Sequence, residues 1–146
     1  MFERILVPID GSEQSFRAID TAAGLARKFD GALTLVCVYR HHSPLEASLS
    51  MVRARPAETP DSALKDHAAE VLRAGKSRAA EAGAERIEAF AQRGQPAREI
   101  VAFAERIEAD AIVMGSRGLG DVEGFLLGSV SHKVGSLSPV TCVLVK

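Results

Sequence analysis

The sequence predicts one α/β domain built on a five-stranded, mostly parallel, open twisted sheet with helices on both faces. Short apolar, β-branched runs alternate with stretches of helical period along the whole chain. Those runs lack polar alternation, as expected for strands buried on both faces. At 146 residues the chain fits one domain and should bury about 68–70% of its unfolded surface without a disulfide or metal staple.

The elements follow in order. Ile5–Ile9 is a short apolar run closed by the turn signal Asp10-Gly11-Ser12, and reads as a buried strand. Ser12 suits the N-cap of the helix that follows, whose apolar face carries Phe16, Ile19, Ala22, Ala23 and Ala26, with Gly31 ending it. Leu33–Tyr39 is the second strand. From about Arg40 to Pro60 no period is sustained, and the segment reads as a long variable loop with a short helical piece near Leu45–Met51. Asp61 is placed to cap a second helix with Leu64, Ala68, Val71, Leu72 and Ala79 on its inner face. Arg86–Gln92 is a weaker strand. Pro96 suits the first turn of a third helix bearing Ile100, Val101, Ala104 and Ile107. Ala111–Met114 is the fourth strand. A helix from about Ser129 shows Val130, Val134 and Leu137, Pro139 breaks it, and Val140–Val145 is the fifth strand.

Composition excludes several function classes. The formal net charge of −1 gives no basic footprint for nucleic acid. No apolar run approaches the roughly 20 residues of a membrane span, and Met1–Asp10 has no signal-peptide pattern, so the expected location is cytoplasmic. Cys37 and Cys142 have no metal or redox spacing and read as buried core thiols. His41 and His42 adjoin the variable loop and are not expected to hold a metal.

The chemistry concentrates between the fourth strand and the last helix. There the chain reads GSRGLGDVEGFLLGS, with Gly115, Gly118 and Gly128 separated by two and then nine residues and Ser129 directly after. A strand, a glycine-rich loop and a fresh helix N-terminus make a phosphate cradle, because glycines admit close backbone approach and the helix end offers unpaired N–H groups. The loop is long for a βα connection of about 2–6 residues. It is not a Walker A loop, since Asp121 stands where the lysine belongs, and Gly115, Gly118 and Gly120 do not make a dinucleotide fingerprint.

That spacing resembles the adenine-nucleotide motif of the universal stress protein family, in its ATP-binding branch. FERILVPIDGSEQSFRAID resembles the family's first strand and helix, and SPVTCVLVK its last strand. The resemblance covers the chain apart from Arg40 to about Pro60. It implies strand order 3-2-1-4-5, which pattern alone does not supply, and a switch point between strands one and four, where open α/β sheets take ligands. It implies ATP as ligand, with Mg²⁺ as a companion ion, and a homodimer through Val140–Val145.

Residue by residue, the resemblance implies apolar contacts from Pro8 and Ile9, and a ribose or cation contact from Asp10. The other reading of Asp10 is a turn residue beside a helix N-terminus. Val38 and Met114 correspond to walls of an adenine pocket, and equally suit core packing. Gly115, Gly118, Gly128, Ser129 and Val130 correspond to the phosphate cradle, while the Ser129 hydroxyl also suits an N-cap. Arg117 stands in the loop and can reach phosphate or solvent. No nucleophile–base pair is visible near the loop, and no base beyond Asp10. A binding site is therefore expected, with hydrolysis slow if it occurs. The expected role is a nucleotide-responsive regulatory or protective protein of a stress response. The alternatives are an interaction protein of the same fold without nucleotide binding, and a slow ATPase or self-phosphorylating protein with Ser129 or Ser131 as acceptor.

Overall fold

The computed structural model describes residues 1–40, 60–119 and 127–146. Along them run β1 (Arg4–Pro8), α1 (Glu13–Phe29), β2 (Ala32–Tyr39), α2 (Pro60–Glu81), β3 (Ile87–Arg93), α3 (Pro96–Arg106), β4 (Ala111–Gly115), α4 (Ser129–Leu137) and β5 (Thr141–Val145). All four strand pairings are parallel, and the order is β3-β2-β1-β4-β5. The expected fold class and order are both present. The variable loop, His41, His42, the piece at Leu45–Met51, and Gly120 and Asp121 lie outside the described residues.

Successive strand residues point to opposite sheet faces, so residue parity divides the interior into two cores. Ile5, Val7, Leu33, Leu35 and Val113 pack under α1 and α2, through Ile19, Ala22, Ala23, Val71 and Leu72. Leu6, Val36, Ile112 and Met114 pack under α3 and α4, through Ile100, Phe103, Ala104 and Val134. Even the edge strand obeys this division: Val143 and Val145 join the first core, Cys142 and Leu144 the second. Helices therefore cover both faces of β5, as its unbroken apolar run predicts.

Several local expectations need correction. The residue that turns left-handed after α1 is Asp30, at φ 52°, and its N–H reaches the Ala26 carbonyl. Gly31 is required for a different reason: a Cβ there would collide with the Phe2 carbonyl oxygen, because the chain entering β1 crosses it. Asp61 lies inside α2, which starts at Pro60. Leu137, the last residue of α4, is 56% exposed although it matches the helical period, and the buried positions of that helix are Ser131 and Val134. Cys142 is only half-buried, since β5 has a neighbour on one side alone. Cys37 is buried, and burial first, then the negative charge of Asp10, pushes its thiol up to about 11. It is a neutral apolar residue at pH 7.

Candidate functional site

β1 and β4 lie side by side at the centre of the sheet, although α1, β2, α2, β3 and α3 separate them in sequence. One connection leaves toward β2 and the other toward β5, so the strand order reverses here and a crevice opens beyond the strand ends. The crevice is a cleft of about 290 Å³, at the lower end of the range for small-molecule sites. Val36, Val38, Pro96, Ile100, Met114 and Val130 give it an apolar side. Asp10, Ser12, Arg117, Gly118 and Ser129 give it a polar side, from the loops that follow β1 and β4.

Ten of the expected residues meet there: Pro8, Ile9, Asp10, Val38, Met114, Gly115, Arg117, Gly118, Ser129 and Val130. Gly128 does not line the cleft. It is buried behind it, and its N–H donates to the Ser116 carbonyl at 2.6 Å. Its φ of −74° is open to any residue, so no left-handed turn requires glycine at this point.

The loop after β4 is held by the protein's own acceptors. Ser116 N–H donates to the Val145 carbonyl at 2.7 Å. Arg117 N–H donates to Gln14 Oε1 at 2.7 Å. Leu119 N–H donates to Asp10 Oδ2 at 3.0 Å, while Asp10 Oδ1 accepts from Ser12 N–H at 2.9 Å. Asp10 thus joins the two loops with one oxygen each. The N–H groups of Ser116, Arg117 and Leu119 already have partners within the protein.

The N-terminus of α4 differs. The N-cap is Gly128 rather than Ser129, with no side-chain capping bond and no acidic residue in the first turn. The first intrahelical bond is His132 N–H to the Gly128 carbonyl, so the N–H groups of Ser129, Val130 and Ser131 precede the ladder. Ser129 is exposed at the cleft. Ser131 is 2% exposed, and its Oγ donates to the Ser116 carbonyl at 2.6 Å, which makes it a brace rather than a phosphate acceptor.

Sequence reasoning missed Gln14, Ser15, Val36, Arg40, Pro96, Ile100 and Ser116. Parity was an available signal for Val36, two residues before Val38 on the same strand face. Nothing local signals Gln14, whose partners lie 102 and 103 residues away. Among the described residues there is no cluster of three His, Cys, Asp or Glu fit to hold a metal ion, and no helix long and apolar enough to cross a membrane.

Comparison with known proteins gives one family throughout. The sequence pattern of the universal stress protein family matches residues 1–146. The universal stress protein YxiE of Bacillus subtilis is 35% identical over 149 residues, spanning 100% of both chains. A universal stress protein solved in complex with cAMP is 31% identical at a TM-score of 0.75, covering 99% of this chain and 97% of that one. The protein UspA of Lactobacillus plantarum is 25% identical at a TM-score of 0.82, covering 99% and 98%. With the full-length pattern match and a relative of this identity over its whole length, the chain belongs to the universal stress protein family.

Proposed function

We propose that the protein binds ATP in this cleft and acts in the cytoplasm as a nucleotide-responsive regulatory or protective protein of a stress response. One observation carries the reading: at the switch point, an apolar slot adjoins a helix N-terminus that has no side-chain cap among the described residues. A base fits the slot between Val38, Met114 and Ile100. Phosphates fit the opening of α4, where N–H groups and the helix dipole favour negative charge. The relative solved with cAMP supports an adenine nucleotide as the ligand class. Mg²⁺ would be held chiefly by phosphate oxygens and water, with Asp10 as the one carboxylate among the described residues that line the cleft.

Among the described lining residues Asp10 is also the only one suited to act as a base, and both its oxygens accept backbone hydrogen bonds. Turnover is therefore expected well below the roughly 10 s⁻¹ median of dedicated enzymes. Calorimetric titration tests the reading. The purified protein should bind ATP, and Gly118→Val, which puts a branched side chain on the cleft wall, should weaken it by about tenfold or more with the far-UV circular dichroism unchanged. Wild-type protein that takes up no ATP would sink the assignment.

We further propose a homodimer through Val140–Val145. β5 is an edge strand with half-buried apolar side chains and one unpaired edge, a template for adding the same strand from a second copy about a two-fold axis. The Val145 carbonyl faces β4, and backbone groups alternate sides along a strand, so the Leu144 N–H faces the open edge. Leu144→Pro removes that donor and should shift the mass seen by light scattering from dimer to monomer. A dimer indifferent to Leu144→Pro places the interface elsewhere.

A further inference from the structure

We propose that Gln14 is a positioning residue for the phosphate side of the cleft, and that Gly115 lacks a side chain in order to seat it. The inference rests on the nucleotide reading above.

Gln14 belongs to no glycine motif and does not line the cleft. It sits in the first turn of α1 and reaches across to the loop after β4. Its Oε1 accepts the Arg117 N–H at 2.7 Å and the Ser116 hydroxyl at 3.2 Å. A backbone N–H can only donate, so the carboxamide oxygen must face that peptide.

Gly115 supplies an independent observation. A Cβ there would stand 3.0 Å from Gln14 Cβ, 3.1 Å from the Gln14 carbonyl carbon and 3.2 Å from the Arg117 carbonyl oxygen. Its φ is not in the left-handed region, so glycine is needed for space and not for conformation. The last residue of β4 is bare because the first turn of α1 presses on it.

The adjoining residue completes the device. Ser116 is 2% exposed, and all of its polar groups are engaged. Its N–H goes to Val145, its carbonyl accepts from Gly128 N–H and Ser131 Oγ, and its hydroxyl donates to Gln14. Ser116 thus ties both ends of the glycine loop together. Gln14 then fixes the next peptide, from which Arg117 and Gly118 enter the cleft wall. Holding that peptide before the ligand arrives removes an ordering cost from binding.

The test separates phosphate positioning from general support. ATP and adenosine are titrated into wild type, Gln14→Leu and Gln14→Ser, and amide exchange is followed at Arg117. Each variant should lose about fivefold in ATP affinity, the effect of one removed hydrogen bond, while adenosine affinity stays within about twofold. The Arg117 amide should lose protection in both variants and keep it in Gln14→Glu, which retains the acceptor oxygens. Unchanged ATP affinity overturns the proposal. So does an equal loss for ATP and adenosine, which would mark a merely structural residue, or an Arg117 amide as protected in the variants as in wild type. Wild-type protein that ignores ATP overturns the nucleotide reading itself, and the exchange data then report the brace alone.

Discussion

Three helices begin at the cleft, and the protein treats the N-termini of two of them, α1 after β1 and α4 after β4, differently. At α1, Ser12 Oγ accepts the Ser15 N–H at 3.2 Å, the Ser15 hydroxyl donates back to the Ser12 carbonyl at 2.8 Å, and Glu13 puts an acid in the first turn. At α4, a glycine stands at the N-cap and its carbonyl accepts the Ser131 hydroxyl at 3.1 Å, as the Ser12 carbonyl accepts that of Ser15, but among the described residues no side chain accepts an N–H of the first turn and the first turn holds no acid. α3 goes with α1, since Gln95 accepts the Arg98 N–H and Glu99 supplies the acid. The fold provides equivalent positive ends beyond the strands, and a few residues decide which end is already served. An end with its own acceptors has little left for a foreign anion, whereas α4 keeps its donors.

The comparison breaks most readily by making α4 resemble α1. Ser129→Asp places a carboxylate in the first turn. ATP affinity should fall by about tenfold to a hundredfold, since like charges set side by side cost up to several kcal/mol. The melting temperature should hold or rise, because the helix gains a favourable dipole interaction. ATP binding that survives Ser129→Asp, measured by calorimetry, would remove α4 from the phosphate site.

A smaller effect comes from the converse change at α1. Ser12→Ala removes a cap and should cost about 1 kcal/mol of stability in urea unfolding. ATP affinity should change little, since that end is served from within. A large loss of affinity at full stability would mean that Ser12 touches the ligand and that the two ends are more alike than their caps suggest.

The smallest effect is expected away from the cleft, where Arg78 of α2 grips Asp20 of α1 through two hydrogen bonds of 2.7 and 2.6 Å. The hydrogen bond from Arg78 holds the Asp20 carboxyl below its ordinary value, against the opposing effect of partial burial. A carboxylate lowered in the folded state adds stability above its unfolded pKa of about 3.9, and that stability is lost as pH falls through the folded value. Both side chains are more than a third exposed, so the contribution is small. Asp20→Asn should flatten the acid side of the stability profile below about pH 4 and leave ATP binding at neutral pH unchanged. An unaltered acid profile would show that the pair is broken by solvent.

The elements were legible wherever a pattern repeats. The apolar runs of β1, β2 and β4, the helical spacing of Ile19, Ala22, Ala23 and Ala26, and the cap at Ser12 are local signals, and the structure matches each. Single positions at element ends were less legible. Leu137 matches the period of α4 yet is exposed, and the left-handed turn falls on Asp30 instead of the adjacent glycine. The cleft was legible in part: glycine spacing and strand ends identify Asp10, Met114, Gly115 and Ser129, while Gln14, Ser116 and Ser131 act through contacts that no local pattern encodes.

By itself the sequence determined the alternation of strands and helices, the two-faced burial of the sheet, and the presence of a glycine loop ahead of a helix. Each depends on neighbours within a few residues, where period and capping chemistry operate. Only the tertiary structure decided which loop N–H groups remain for a ligand. Asp10 and Gln14 take those of Leu119 and Arg117 across more than a hundred residues, and Gly115 is bare because α1 leans on it. Those are facts of packing between β1–α1 and β4–α4, fixed when the central strands pair and not before.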